Sequence, residues 1–367
     1  MKIYLSLFYL FYFALVGVYV VFMPKVLLDF NYTKVEVGII YAAAPFMRFL
    51  LPFVFKHLIE LTDKIFTISL FFTFIATLIF LNTVDNFALY LVANLLFGAS
   101  MGVSLPFVET IALQQISKKD YGKIRLWGSV GFILIALWLG KVLSDPYEAL
   151  YYLSAIAFLT LLFGLSVLQF DKQPKKAEQE SDKSFSLSKF WAFWGSVFLM
   201  QLAFGGFYNF FTIYEVDHGI SLEMVSWMWT FGVVCEILML YFQGALLQRN
   251  LLTLLKVATL LTAFRWLILY FYADSVIITF ASQSLHAVSF ALYHTATITY
   301  VFTLYTQKRL AQQFLLGIGF GLGGSIGALL SGRIYGEYLF LIEAIITLGA
   351  FGMLLIHDRR KEDYLKL

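Results

Sequence analysis

The segment Asp171-Lys-Gln-Pro-Lys-Lys-Ala-Glu-Gln-Glu-Ser-Asp-Lys-Ser184 divides this chain into two long apolar halves. It carries both signs of charge and no large apolar side chain, a composition that stays solvated. Six apolar stretches lie on each side of it, each near the roughly 20 residues that a helix needs to cross a bilayer. The sequence therefore predicts an all-α integral membrane protein with twelve transmembrane helices in two pseudo-symmetric six-helix bundles.

The position of this segment also predicts the domains. An N-terminal bundle is expected at 1–170, a cytoplasmic linker at 171–187, a C-terminal bundle at 188–357 and a cytoplasmic tail at 358–367. The predicted spans are 3–28, 35–56, 65–83, 86–116, 122–144, 147–169, 188–215, 221–247, 251–272, 275–305, 309–333 and 337–357.

Composition agrees with a lipid-facing surface. Hydrophobic residues make up 60% of the 367 positions and charged residues only 13%, a balance that the surface of a water-soluble protein of this size does not show. The single cysteine, Cys235, excludes an intrachain disulfide.

The distribution of lysine and arginine predicts the orientation. With the N-terminus in the cytoplasm and the spans alternating, 19 of these residues fall on the inside and four on the outside. The positive-inside rule then predicts that both termini lie in the cytoplasm. The expected location is the cytoplasmic (inner) membrane. The apolar run after Lys2 is too long for a signal peptide and lacks a small-residue cleavage site, so it is interpreted as the first span.

Several ionisable residues fall inside the predicted spans. Each costs at least ~2.5 kcal/mol to insert, so such residues normally face a protein interior or a water-filled path and have a function there. A chain with several of them is predicted to be a transporter and not an anchor. They are Arg48, Glu109, Arg125, Glu236, Arg265, His286 and His294.

The two halves resemble each other locally. Phe13-Ala-Leu-Val-Gly-Val-Tyr-Val-Val-Phe22 aligns with Leu202-Ala-Phe-Gly-Gly-Phe-Tyr-Asn-Phe-Phe211, and the same alignment brings Arg48 within one position of Glu236. Repeats with a cation in one half and an anion in the other indicate a binding site where the repeats meet.

Two six-span repeats joined by a charged cytoplasmic loop resemble the major facilitator superfamily. Pro106-Phe-Val-Glu109, followed by Tyr121-Gly-Lys-Ile-Arg125-Leu-Trp-Gly-Ser-Val-Gly-Phe132, is similar to the segment between the fourth and fifth spans of two of its groups. These are the sugar–proton symporters of the lactose permease branch and the phenylpropionate-permease-like carriers. The resemblance implies that Glu109 and Arg125 contact the substrate.

Three short matches extend the resemblance into the second half. They are Cys235-Glu236-Ile-Leu, Phe264-Arg265-Trp266 and Ser284-Leu-His286-Ala. The resemblance implies that Glu236 contacts the substrate and helps to couple it to protons, and that Arg265 and His286 belong to the coupling network.

The chain also departs from the sugar–proton symporters. Ser289 stands where that group has the proton-carrying carboxylate, and Phe204 and Gln283 replace an aspartate and its lysine partner. The resemblance therefore implies a less sugar-like site with fewer charges.

The residues themselves suggest roles in a site near the membrane midplane. Arg125 or Arg48 is predicted to bind a carboxylate or a hydroxyl group, with Glu109 orienting it. The rings of Tyr19, Trp127 and Tyr208 are stacking candidates.

The predicted proton-coupling residues are Glu236, Arg265, His286 and His294. Glu236 beside a cation such as Arg265 is expected to gain and lose a proton in the working pH range. The two histidines are eight residues apart, about 80° round a helix, and no cysteine or carboxylate joins them at ligand spacing. No metal or other cofactor is therefore predicted.

The predicted function is secondary active transport by alternating access, with proton-coupled import of a small organic solute such as an aromatic acid, a nucleoside or a sugar. The alternatives are a proton-driven exporter and a membrane sensor that has lost transport. An enzyme is not predicted, because the chain shows no nucleophile or metal constellation. The expected partners are the solute, protons and the lipid bilayer, without nucleic acid, and the expected state is a monomer.

Each candidate also has a structural interpretation. Glu109 and Arg125 can form an internal ion pair or extend towards the cytoplasm, and Arg48 can reach the interface. Glu236 and Arg265 can form a structural salt bridge.

Four further features are assigned structural roles. His294 can be a core histidine. Glu215 and Glu343 are interpreted as interfacial and are left out of the site. The glycine-rich stretch 317–327 is interpreted as a close-packing helix face.

Overall fold

The computed structural model describes residues 1–57, 62–116, 118–170 and 186–364, and these residues contain helices and no β-strand. Within these described ranges, eleven helices are long and apolar enough to cross a membrane, and Lys34–His57, with 24 residues, also has the required length. The predicted all-α fold is confirmed, and each predicted span corresponds to one long helix. The long helices are α1 (Lys2–Asp29), α2 (Lys34–His57), α3 (Asp63–Thr83), α4 (Phe87–Gln115), α5 (Lys118–Val142), α6 (Pro146–Leu168), α7 (Ser188–Asp217), α8 (Leu222–Phe242), α9 (Leu251–Phe271), α10 (Val276–Leu304), α11 (308–334) and α12 (Leu339–Tyr364).

The chain forms two compact units. The first contains Met1–Lys175 and Tyr208–Thr230, and the second contains Lys176–Phe207 and Phe231–Leu367. The chain therefore passes between the units once within α7 and once within α8. The domain boundaries expected at 170 and 188 stay a prediction, because most of the predicted linker lies outside the described residues.

Polar caps begin several of the helices. The side chains of Asn86 and Asn250 accept hydrogen bonds from backbone N–H groups in the first turns of α4 and α9. Asp145 and Glu148 form a capping box at the start of α6. These side chains satisfy N–H groups that a helix cannot pair internally, and they mark where the apolar runs end.

Glycines allow close helix packing within the first unit. An added Cβ at Gly131 would overlap the backbone of Leu10, and one at Gly17 would lie 2.7 Å from the side chain of Ile135. These contacts bring α1 close to α5, because small residues let the two helices approach.

Helix α7 is interrupted in its middle. The helical segment Trp191–Leu202 ends, two turn residues follow, and a second segment runs over Gly205–Asp217. At this interruption an added Cβ on Gly205 would overlap the backbone of Gly327 in α11. The glycine-rich stretch of α11 therefore packs against α7 at Gly327.

We expect Gly327→Ala to lower the stability of the folded protein. The new Cβ would lie 2.5 Å from the carbonyl oxygen of Leu202, and overpacking of this kind costs about 1–3 kcal/mol. Thermal unfolding of the detergent-purified protein measures the effect. Gly352→Ala is the matched control, because a Cβ at Gly352 meets no atom within 4 Å. Equal unfolding temperatures for the two variants would contradict this packing.

Three helices contain π-helical segments, at Val18–Phe22 in α1, Ala287–Leu292 in α10 and Leu316–Gly323 in α11. Such segments widen one helical turn and often occur at functional sites. The segment in α10 lies immediately after His286.

Candidate functional site

An ion pair between α4 and α5 forms the first charged cluster, in the N-terminal unit. Arg125 Nε lies 3.0 Å from Glu109 Oε1. Tyr121, one turn before Arg125 on α5, donates its hydroxyl hydrogen to the other carboxylate oxygen of Glu109. Both oxygens of Glu109 are therefore hydrogen-bonded, and the carboxylate holds Arg125 in one orientation.

The guanidinium of Arg125 lies against aromatic rings of α1. Its central carbon is 4.1 Å from the ring centroid of Phe13 and 5.3 Å from that of Tyr9. Gly128 leaves room for the group, since an added Cβ there would lie 2.8 Å from Nη1. The Arg125 side chain is 32% exposed, and its Nη atoms donate no hydrogen bond to any residue that the structure describes. The predicted ion pair with Glu109 exists, but it uses only one edge of the guanidinium.

Arg48 occupies an exposed position on α2. Its Cγ would lie 3.4 Å from a Cβ at Gly102 of α4. The charges of Arg48, Arg125 and Glu109 all act on the buried hydroxyl of Tyr12. Arg48 is thus near the first cluster, and among the described residues it forms no hydrogen bond or ion pair.

The three predicted stacking residues occupy different environments. Tyr19 is buried, and its hydroxyl donates to Asn94 Oδ1 at 2.9 Å. Trp127 is exposed on α5. Tyr208 is half-buried and stacks on Trp229 at 6.5 Å. Their predicted contact with a substrate ring stays a prediction.

A second cluster in the C-terminal unit surrounds Arg265 of α9, which is completely buried. Its Nη2 donates to Gln283 Oε1 at 2.6 Å, and its Nη1 donates to Ser289 Oγ at 3.1 Å. The guanidinium also lies 4.1 Å from the ring centroid of Phe207. These acceptors at Nη1 and Nη2 offset part of the cost of burying the cation.

His286 connects Arg265 to Glu236. Arg265 Nη1 lies 3.1 Å from His286 Nδ1, and His286 Nε2 lies 3.7 Å from Glu236 Oε2. Because the guanidinium can only donate, this geometry assigns Nδ1 as the acceptor, and neutral His286 then carries its proton on Nε2, towards Glu236. The structure brings these three predicted residues together, with the histidine between the other two.

Glu236 is the most accessible of these three residues. Its side chain is 20% exposed, compared with 7% for His286, and Arg265 is fully buried.

Two of the three neutral replacements noted in the sequence are partners of Arg265. Gln283 and Ser289 stand where the sugar–proton symporters have charged groups, and both accept hydrogen bonds from the guanidinium. Sequence reasoning missed this role. The spacing of Gln283, His286 and Ser289 contained the signal, because residues three apart lie on one side of a helix.

We expect Gln283→Leu to destabilise the C-terminal unit. The change removes the acceptor at Arg265 Nη2 and leaves a buried charged donor unsatisfied, which costs about 1–3 kcal/mol. Thermal unfolding of the purified protein measures the loss. Ser284→Ala, at the exposed neighbouring position, is expected to leave stability unchanged. A Gln283→Leu variant as stable as that control would show that Arg265 finds another acceptor.

His294 is connected to His286 by a stack of rings. The ring of Phe290 stacks on both, at 5.3 Å and 3° from His286 and at 5.9 Å and 8° from His294. The π-helical segment Ala287–Leu292 lies between the two histidines. A role of His294 in proton coupling stays a prediction.

Two acidic residues interpreted as interfacial are in fact buried. Glu215 is 0% exposed and Glu343 is 1% exposed. Position along the helix suggested an interfacial location, but burial depends on which face of the helix carries the residue. Glu343 faces the interrupted middle of α7, as its hydrogen bond from the Gly206 N–H shows.

Among the described residues, no group of three or more histidine, cysteine, aspartate or glutamate side chains is placed to hold a metal ion.

Long apolar helices with buried and half-buried charged clusters define a polytopic membrane protein. The model of the MFS_1 like family matches residues 2–342. The chain therefore belongs to that family, as the short sequence matches predicted.

Two relatives agree with this assignment. The chain is 26% identical to the probable 3-phenylpropionic acid transporter of Escherichia coli, over 63% of this chain and 64% of that protein. It thus spans slightly less than two thirds of that relative. It is also 26% identical to an uncharacterized transporter of Bacillus subtilis, over 74% of this chain and 71% of that protein. Both are named as transporters and not as enzymes.

Solved structures share the fold. A variant of the nucleoside transporter NupG superposes with a TM-score of 0.82 at 16% identity, covering 97% of this chain and 99% of that one. Another structure of NupG gives a TM-score of 0.76 at 18% identity, covering 97% and 98%. At these identities the comparison establishes the fold alone.

Proposed function

We propose that this protein is a secondary active transporter that imports a small aromatic acid together with protons by alternating access. The observation that carries the proposal is the state of Arg125. Its Nε is fixed by Glu109, and its two Nη atoms donate to none of the described residues. A planar guanidinium held along one edge is suited to bind a carboxylate along the other.

The rings beside Arg125 favour an aromatic substrate. Phe13 and Tyr9 both lie within 6 Å of the guanidinium, so a ring attached to the bound carboxylate would have aromatic neighbours. The E. coli relative, named as a probable 3-phenylpropionic acid transporter, is consistent with this substrate class. A neutral nucleoside or sugar would offer no negative charge to the free edge of the guanidinium.

The relay of Glu236, His286 and Arg265 is the proposed coupling element. Protonation of Glu236 would remove a negative charge facing His286 Nε2 and change the interactions of the whole relay. The bound proton then favours one conformation of the transporter, because the two conformations bind the proton with different affinity.

The proposed location is the cytoplasmic membrane, with both termini in the cytoplasm and the protein acting as a monomer. The excess of lysine and arginine on one side, 19 against four, supports this orientation.

Proton movement in proteoliposomes tests the proposal. We expect external alkalinisation when 3-phenylpropionate or a related aromatic acid is added outside, because protons enter with the substrate. A nucleoside and a disaccharide are the comparison solutes, and protein-free liposomes correct for passive entry of the acid. If only the nucleoside or only the disaccharide causes alkalinisation, the substrate belongs to that class and is not an aromatic acid.

The same assay decides between import and the alternatives. Substrate binding without proton movement would overturn symport in favour of a sensor or a uniporter. Proton exchange in the opposite sense, with the solute moving out of the vesicle, would establish an exporter.

A further inference from the structure

Glu343 of α12 lies beside the interruption in α7. Its Oε1 accepts a hydrogen bond from the backbone N–H of Gly206, in the first turn of the segment Gly205–Asp217. Ser331 of α11 lies 3.3 Å from the same oxygen and donates its hydroxyl hydrogen. One carboxyl group therefore joins three helices at the point where α7 is broken.

The other oxygen of this carboxyl group is buried and unpaired. Among the described residues, Glu343 Oε2 has no hydrogen-bond partner, and the residue is 1% exposed. A buried carboxylate without a cation is costly, whereas the protonated group has no charge to solvate and gains an O–H donor. Nothing in the transport site described above uses this group.

The ionised form also has partial support. The Gly206 N–H is one of the unpaired donors at the N-terminus of a 13-residue helix segment, where the helix dipole favours a negative charge. Gly206 is needed for this approach, because any Cβ there would collide with the Glu343 carboxyl. Gly17, its counterpart in the internal repeat, faces the apolar side chain of Ile135 instead.

We propose that Glu343 is a second proton-binding site, in which the protonation state controls how firmly α12 holds the interrupted middle of α7. The ionised carboxylate binds the Gly206 N–H through charge as well as hydrogen bonding, and protonation weakens that attachment. The chain passes from one compact unit to the other directly after this point, between Phe207 and Tyr208. A proton on Glu343 would thereby bias the flexing of α7, and this role rests on the proposed proton-coupled transport.

Other charged or titratable groups also lie on the surrounding helices. Arg265 of α9 donates to Gln283, His286 and Ser289. Lys256 of α9 pairs with Asp358 at 2.7 Å. Arg333 of α11 and Asp217 of α7 are exposed, and Tyr270 of α9 and Tyr208 of α7 are half-buried. Tyr214 and Glu215 are buried, about two turns of α7 beyond Gly206.

Infrared difference spectroscopy after a pH change tests the site directly. The protein is reconstituted in liposomes in sodium-free buffer, and the C=O stretch of protonated carboxyl groups is followed. We expect Glu343→Gln to lose one component of this band. Glu236→Gln is expected to retain that component, and Glu337→Gln, at an exposed position, to match the wild type. A band unchanged in Glu343→Gln would overturn the proposal.

Two further measurements keep the test decisive. Thermal unfolding checks that Glu343→Gln is folded, which we expect because glutamine can still accept the Gly206 hydrogen bond. If Glu343→Gln does not fold, Glu343→Asp replaces it. This variant keeps a titratable carboxyl group, so we expect the Glu343 component of the C=O band to shift, and an unshifted band would overturn the assignment. Loss of the Glu343 component on adding sodium at constant pH would also overturn it, in favour of a metal-cation site.

The transport assay separates this inference from the proposed function. If the function is wrong, wild-type vesicles show no substrate-driven proton movement while the Glu343 band component persists. If only the coupling role of Glu343 is wrong, Glu343→Gln vesicles show full pH-driven uptake. We expect that variant to lose pH-driven uptake and to retain substrate exchange.

Discussion

Replacing Arg125 by alanine is expected to abolish detectable binding of the aromatic acid. The guanidinium is the group that we propose to pair with the substrate carboxylate, and hydrogen bonds to charged groups contribute about 1.5–3 kcal/mol each. Loss of one such bond corresponds to an increase in Kd of roughly 10- to 150-fold. Titration calorimetry or a substrate-dependent thermal shift on purified protein measures the change.

Two variants separate binding from structure. Arg125→Lys keeps the positive charge but loses the planar fork, so we expect weakened rather than abolished binding. Arg333→Ala removes an exposed arginine and should leave Kd unchanged. An Arg125→Ala variant that is folded and binds the acid with the wild-type Kd would show that the pair with Glu109 only holds α4 to α5.

The second large effect is expected for Glu236→Gln, which should abolish uphill accumulation of substrate. Glutamine resembles glutamate in shape but cannot exchange a proton, so a proton gradient can no longer drive the cycle through this position. Substrate exchange across the vesicle membrane needs no net proton transfer and should persist. Uptake against a concentration gradient and counterflow, measured on the same vesicles, distinguish the two activities.

Glu223→Gln is the matched control for this prediction. Glu223 lies on the same helix, α8, but is exposed near its first turn, and we expect wild-type accumulation. Accumulation by Glu236→Gln at the wild-type level would exclude Glu236 as the coupling residue, and Glu343 would then be the next candidate.

These predictions assign the two clusters to different tasks. Arg125 is half-exposed, anchored at one edge and surrounded by rings, which suits a ligand-binding group. Arg265 is fully buried and surrounded by neutral acceptors, which suits a fixed charge that positions His286. Burial and hydrogen-bond satisfaction separate the two arginines, although both appear in the sequence as one cation within an apolar run.

Much of the candidate site was predictable from the sequence. An ionisable residue in an apolar run is conspicuous whatever the fold, so Glu109, Arg125, Glu236, Arg265 and His286 were identified individually. The partners were harder, because Gln283 and Ser289 are uncharged and common in membrane helices. Their role appears only when α9 and α10 pack together, because Arg265 of α9 then donates to both Gln283 and Ser289 of α10.

Glu343 shows most clearly what could not be predicted from the sequence. Its sequence position near the start of an apolar run suggested an interfacial residue, yet it is buried against Gly206. Two local distortions were likewise not predicted. Helix α7 is interrupted after Leu202, and α10 is π-helical over Ala287–Leu292, and neither distortion follows from hydropathy.

The sequence by itself determined the all-α membrane fold and the twelve spans, and it predicted their orientation, because apolar length and the placement of lysine and arginine depend only on the chain and the bilayer. The tertiary structure decided which charged groups meet, which of them are buried and which edge of Arg125 remains available. Those properties depend on the rotation of each helix about its axis and on its closest neighbours, which small residues such as Gly206 and Gly327 set through backbone contact.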